Sequence, residues 1–281
     1  MNVIQSILMG VIQGLTEFIP VSSTAHLTIA GEITGLISLQ QPERWTAFIA
    51  TIQLGTLLAV LVYFAKDIDL IVRSFFKENL RSDRKKFKGQ SMHSRLGWLI
   101  IIGSIPIILI GFTLKKVIEG TLTKSPVIIA MSLIILGIIL AAAEITAKFR
   151  KDMEKISWLD SVLIGLAQCL ALFPGASRSG TTLTAGLFLG LKRDVAARFS
   201  FLLSIPAVFA SGLYEFYKSM QYISSGDVVN LGVATLCAAI SGYASIAFLL
   251  KYLKTNSTYL FVFYRILFGI IILLFLMKGV I

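Results

Sequence analysis

Six apolar runs, at 47–64, 96–114, 127–143, 199–213, 228–250 and 259–277, dominate this chain. A helix needs about 20 such residues to cross a bilayer core, and most of the runs approach that length. Inside lipid every backbone polar group must be satisfied within the protein, so the fold is confined to helices or closed barrels. Only 15% of the 281 residues are charged, against about 25% in soluble domains. The surface is therefore built to face something other than water, and the expected fold is an all-α polytopic membrane protein with about six transmembrane helices. Trp45, Trp98 and Trp158 fall where apolar segments begin, as interfacial aromatics do. The opening MNVIQSILMG has neither a positive n-region nor a small-residue cleavage site, so the N-terminus is expected to be mature structure. Cys169 and Cys237 have no metal spacing and are expected to be small buried hydrophobes.

The net charge of +11 could suggest nucleic acid. Yet nine cations (Lys66, Arg73, Lys77, Arg81, Arg84, Lys85, Lys86, Lys88 and Arg95) belong to one connection between spans. Such clustering is a topology signal and a contact for anionic membrane lipids, and nucleic acid is not expected as a partner.

Two segments do not read as ordinary spans. Residues 13–24 are QGLTEFIPVSST and residues 168–179 are QCLALFPGASRS. Gln13 matches Gln168, Phe18 matches Phe173, and Pro20 matches Pro174 after a one-residue gap; a hydroxyl cluster follows in each copy. Three ordinary spans come after each copy. The chain thus divides into a first repeat at 1–150 and a second at 151–281, within one membrane domain. Segments 3–18 and 159–173 are each about 15 residues long, roughly 23 Å as helix, too short to cross comfortably. A proline then blocks continuation, and serines offer N-caps for a second half-helix. This pattern predicts two re-entrant helix hairpins, tolerated where broken backbone is buried in protein or lines a wet cavity.

Charge supports the same topology. With six spans and two hairpins, 18 cations fall on one side and 6 on the other; with eight full spans the split drops to 15 against 9. The positive-inside rule therefore favours six spans with both termini outside. Three spans per half make the repeats inverted, with hairpins entering from opposite faces and meeting near the midplane, an arrangement that marks a binding site.

The broken segments carry the chemistry. Gln13 and Glu17 share a helix face, and an ionisable group inside an apolar segment is a functional hypothesis by default. The pair supplies hard oxygen ligands of the kind Mg²⁺ or Ca²⁺ takes. Ser23 and His26, three apart, share the next face. In the second segment, Gly175 allows close backbone approach, and Ser177, Ser179 and Thr182 offer hydroxyls. A half-helix start presents free N–H groups to an anion, and Arg178 adds a planar fork suited to phosphate. Arg265, in the last span, is expected in a structural ion pair with Glu144 or Glu215. No GxxxxGK[ST] loop and no DDxxD-like cluster occurs, so nucleotide hydrolysis and prenyl transfer lack support.

Together, QGLTEFIPVSSTAHL and FPGASRSGTT resemble the undecaprenyl-diphosphate phosphatase family, the bacitracin-resistance type of bacterial inner membranes. The likeness covers essentially the whole chain, including FIATIQLGTLLAVL and the Tyr-Arg of the final span. It implies removal of the terminal phosphate of a polyprenyl diphosphate lipid, regenerating the carrier for peptidoglycan synthesis. The family's (Glu/Gln)-xxx-Glu pair falls on Gln13 and Glu17, its Pro-Val-Ser-Ser-Thr-x-His segment on Pro20 to His26, and its Pro-Gly-x-Ser-Arg-Ser segment on Pro174 to Ser179, with the following threonine at Thr182. Gln13 departs from the two-glutamate form, which puts most of any metal affinity on Glu17. An unrelated lipid-phosphatase class with Ser-Arg-x5-His is excluded, because the histidine position is Thr184.

The expected mechanism has Gly175, Arg178, Ser177, Ser179 and Thr182 holding the diphosphate, with a divalent cation on Glu17 and Gln13 offsetting its charge. Ser23 attacks with His26 as base, His26 activates water, or His26 is itself the nucleophile; the residues leave all three open. The active site is expected to open to the outer face, and a homodimer is compatible with the chain. The runner-up function is a polyprenyl-phosphate transporter or translocase, since inverted repeats with broken helices also build transporters.

Overall fold

The computed structural model describes residues 1–37, 42–80, 84–113 and 125–279. Arg81, Lys115, Lys116 and Lys124, which entered the charge count, lie outside the described residues, as does Leu114 at the end of the second apolar run. The described chain is helical. Its α-helices are α1 (Val3–Phe18), α2 (Ser23–Ile33), α3 (Pro42–Tyr63), α4 (Ala65–Leu80), α5 (Met92–Thr113), α6 (Pro126–Thr146), α7 (Trp158–Gln168), α8 (Arg178–Phe188), α9 (Arg193–Ser219), α10 (Val228–Tyr252) and α11 (Tyr259–Met277). Six of them (α3, α5, α6, α9, α10 and α11) are long and apolar enough to cross a membrane, in agreement with the six apolar runs. The protein is an integral membrane protein.

Two features differ from the sequence reading. The basic connection contains the amphipathic helix α4, which buries Ile71 and Glu78 and packs on α5. Its apolar residues are interleaved with Lys66, Asp67, Asp69, Arg73 and Lys77, so no bilayer-length run betrays it. Cys169 and Cys237 are free and only partly buried.

α1 and α7 are short, and each is followed by a break and a second short helix. The breaks are built alike. Asn2 and Ser157 cap α1 and α7 with reciprocal capping boxes. Ser22 (φ 75°) and Ser177 (φ 66°) both cap the following helix from a left-handed backbone, accepting from the N–H groups of Ala25 and Gly180 respectively. Ser6, Gly10, Gln13, Phe18 and Ser22 each lie 155 residues before Ser161, Gly165, Gln168, Phe173 and Ser177. The structural register is therefore ungapped. Aligning the prolines forces a gap because Pro20 and Pro174 sit one position apart, whereas the capping serines are the true equivalents.

Packing exchanges the halves. α1 lies along α10, and α7 lies along α5. Glycine makes both approaches possible: a Cβ on Gly10 would lie 2.2 Å from the Ala234 carbonyl oxygen, and one on Gly165 would lie 2.1 Å from that of Gly103. In lipid, where oil-like burial offers little drive between helices, such close backbone contact is a main source of association. α3 packs on α9 and α6 on α11, which joins the halves across the centre. The largest buried cluster runs from Phe18 and Phe64 to Phe199, Phe201 and Phe261. It flanks the first break through Phe18 and Val21 and reaches α8 through Leu183 and Leu187.

Candidate active site

Both breaks sit beside one cavity of about 650 Å³, within the range of small-molecule sites. Its polar floor comes from α1 (Gln13, Glu17), the first turn of α2 (Ser23, with its cap Ser22) and the second break (Gly175, Ser177, Arg178). Its apolar wall comes from Ile107, Ile108 and Phe112 of α5, Ala171–Phe173 at 171–173, and Ala207 and Ala210 of α9.

Glu17 organises the floor. One carboxylate oxygen accepts from Arg178 Nη2, joining the first break to the second. The other accepts from Ser23 Oγ at 2.7 Å and from Gln13 Nε2 at 3.1 Å. The Glu17 side chain is 8% exposed and that of Arg178 19%. A charge so enclosed must be paired and hydrogen-bonded to persist, and this carboxylate has three donors on two oxygens. Its contacts bring the Ser23 hydroxyl and the Arg178 guanidinium to the same point. The first turns of α2 and α8 both start at the breaks, so the free N–H groups and positive dipole ends of two helices meet the cavity there.

The other expected site residues divide. Gly175 and Ser177 line the cavity. Ser179 and Thr182 do not: Ser179 Oγ donates to the Ile19 carbonyl at 3.3 Å, and Thr182 Oγ1 donates to the Arg178 carbonyl at 2.8 Å and meets Ser200. Ser179 thereby ties α8 to the first break, and Thr182 ties α8 to α9. His26 also turns away. Its Nδ1–H donates to the Ser22 carbonyl at 2.7 Å, its Nε2 accepts from the Tyr264 hydroxyl at 2.6 Å in the neutral ring, and the ring stacks on Phe268 at 4.4 Å. The titratable group hydrogen-bonded to Ser23 is Glu17. By gripping the Ser22 carbonyl, His26 steadies the one left-handed residue of the first break, a conformation that costs about 1–3 kcal/mol.

Arg265 has no carboxylate partner among the described residues. Fully buried, it donates to the backbone carbonyls of Ala176 (2.9 Å), Leu133 (3.4 Å), Pro20 (3.4 Å) and Gly175 (3.5 Å). The expected pair with Glu144 or Glu215 is not made; Glu144 instead binds Arg193 and accepts from Thr258 at 2.9 Å. A broken helix exposes carbonyls that no sequence pattern displays, and Arg265 satisfies those of both breaks at once. Sequence reasoning also passed over Gln53, Ser211 and Tyr214 and read Glu215 only as a partner for Arg265; all four line the cavity, from α3 and α9. Gln53 carried a signal, being an amide in the middle of an apolar run.

Comparisons with known proteins bear on this site. The family model described as bacitracin resistance protein BacA matches residues 6–271. A protein of Syntrophobacter fumaroxidans is 57% identical over 269 residues, covering 96% of this chain and 95% of its own length. Relatives from Chloroherpeton thalassium (50% identical; 99% and 98% covered) and Myxococcus xanthus (45%; 99% and 91%) are similar throughout. All three carry the name undecaprenyl-diphosphatase.

Proposed function

The chain belongs to the bacitracin resistance protein BacA family, and on that premise we propose that it hydrolyses undecaprenyl diphosphate to the monophosphate and inorganic phosphate, at the cavity between the two breaks. The observation that carries the mechanism is the Glu17 carboxylate, which holds the Ser23 hydroxyl at 2.7 Å while engaging Arg178. Glu17 is placed to take the Ser23 proton as Oγ attacks the terminal phosphorus. The Oγ–P bond forms, the bridging P–O bond breaks, and undecaprenyl phosphate leaves. Water then attacks the phosphoserine, releasing phosphate and returning the proton to Ser23. Arg178 turns its fork from Glu17 to the phosphate oxygens, and the N–H groups at the starts of α2 and α8 take up the charge that develops.

The lipid tail has a route out. Ile108, Phe112 and Phe173 line the cavity and are 52%, 82% and 54% exposed, an apolar rim that suits a prenyl chain. The prenyl chain leaves sideways between α5 and the second break, so the headgroup enters the protein and the tail stays in the bilayer. The exchanged packing of α1 with α10 and α7 with α5 supports inverted repeats with re-entrant hairpins. Charge supports termini outside and a cavity that opens outward, near the ends of α5 and α9 opposite the basic connection.

A divalent cation fits this site on one condition. Both Glu17 oxygens already accept from protein donors, and no group of three His, Cys, Asp or Glu side chains that could hold a metal occurs among the described residues. That donor set suits Mg²⁺ or Ca²⁺ arriving on the diphosphate, with most ligands from phosphate and water and with Glu17 and Gln13 as protein oxygens. Such a cation would supply neutralisation of phosphate charge.

The test is phosphate release by purified protein in detergent, where no membrane exists to transport across. Wild type should release phosphate and Ser23→Ala should lose about 1000-fold or more. Unchanged turnover in Ser23→Ala would remove the serine from the mechanism. No release by wild type would favour the translocase.

A further inference from the structure

The cavity is lined by two carboxylates, and only one has been used. Glu17 has both oxygens engaged. Glu215 lines the same cavity from α9, partly buried, and makes no ion pair among the described residues. It stands four residues from the end of α9, which runs to Ser219, and one turn beyond Ser211. The cavity side of α9 therefore changes character along its length, from Ala207 and Ala210 to Ser211, Tyr214 and Glu215. The polar stretch lies toward the C-terminal end of the helix.

A carboxylate that lines an anion-binding cavity with no ion pair among the described residues works against binding, because like charges in a poorly screened space repel. It helps only if a cation lies between it and the phosphates. Resting on the diphosphatase reading above, we infer that Glu215 is a second protein carboxylate of the site, an oxygen ligand to the divalent cation that enters with the diphosphate. Mg²⁺ in phosphate sites takes one or two carboxylates alongside phosphate oxygens and water. Glu215 provides one from α9, in the same cavity as Glu17 and Arg178.

The experiment measures binding, not turnover. A non-hydrolysable farnesyl methylenediphosphonate is titrated into full-length protein in detergent, with chelator and with saturating Mg²⁺, by calorimetry. Wild type should bind about tenfold more tightly with Mg²⁺, and Glu215→Gln should show less than about a twofold difference. The variant's affinity in chelator should equal or exceed that of wild type, which also certifies its fold. Glu215→Asp, which keeps the charge on a shorter stem, should recover part of the Mg²⁺ effect. If Glu215→Gln keeps the full wild-type ratio, Glu215 is no ligand, and the diphosphatase reading stands untouched. If wild type itself shows no Mg²⁺ dependence, the cation falls and this role of Glu215 falls with it; phosphate release in chelator then judges the reading separately.

Discussion

Replacing Arg265 with lysine keeps the charge and removes the fork. The guanidinium reaches carbonyls in the first break (Pro20), the second break (Gly175, Ala176) and α6 (Leu133), from a position with no exposure. An ammonium is a point donor and cannot span both breaks. The 2.9 Å contact to Ala176 is the strong one; the other three, at 3.4–3.5 Å, are weaker. Hydrogen bonds from charged donors contribute about 1.5–3 kcal/mol, and a buried carbonyl left bare costs about 1–3 kcal/mol. Losing the long contacts while keeping the short one should cost about 2–4 kcal/mol, concentrated at the junction of the breaks. That junction sets the spacing of Ser23, Glu17 and Arg178, and a misplacement of about 1 Å can cost on the order of 100-fold in rate. The expected result for Arg265→Lys is a fall of about 100-fold in kcat, with KM changed by less than about threefold, measured as phosphate release in detergent. Gly180→Ala approaches the same guanidinium from the other side, since its Cβ would lie 2.4 Å from Arg265 Nη1. It should reproduce the kcat loss with no change of charge. Wild-type kcat in both variants would refute the idea that Arg265 staples the breaks.

Other outcomes follow from the same geometry. Arg178→Ala should lower kcat/KM by about 30- to 1000-fold, the loss of one charge-assisted phosphate contact, and Arg178→Lys should recover only part; equal activity in all three proteins would remove Arg178 from the phosphate site. Gly165→Val should prevent α7 from seating on α5, because even a Cβ would meet the Gly103 carbonyl oxygen at 2.1 Å; the readout is monodispersity and melting temperature in detergent, and a stable, wild-type-like variant contradicts the packing. In a background without Cys169 and Cys237, a cysteine at position 44 should react with an impermeant reagent in intact cells and one at position 86 only after permeabilisation. Labelling of position 86 in sealed cells would invert the assigned orientation.

How far the sequence reaches differs between the spans and the site. The spans are legible because the bilayer sets one length scale, and α3, α5, α6, α9, α10 and α11 all meet it. The convergence of Gln13, Glu17, Ser23 and Arg178 is legible because charge inside an apolar segment must be answered by charge. The partners of Ser179, Thr182 and His26 were not. Thr182 and His26 turn to the carbonyl four residues back, whereas Ser179 reaches the Ile19 carbonyl of the first break. Spacing alone does not reveal which of these backbone partners wins. Arg265 escaped because its partners are carbonyls freed by the breaks, invisible in a list of side chains.

The contact between α1 and α10 has a consequence for how the protein is made. Gly10 meets Ala234, and the Ser241 and Ser245 hydroxyls reach the carbonyls of Gly10 and Leu15. Some 220 residues of chain separate those partners, and a ribosome adding about 5–20 residues per second needs roughly 10–45 s to bridge them. Throughout that interval a sixteen-residue helix, too short to span, has only its smaller contacts with α2 and α3 and lacks its main partner. The seat of the first helix is therefore completed only when almost the last span emerges. Mutations that weaken the α1–α10 seam should be felt first as lost yield during biogenesis.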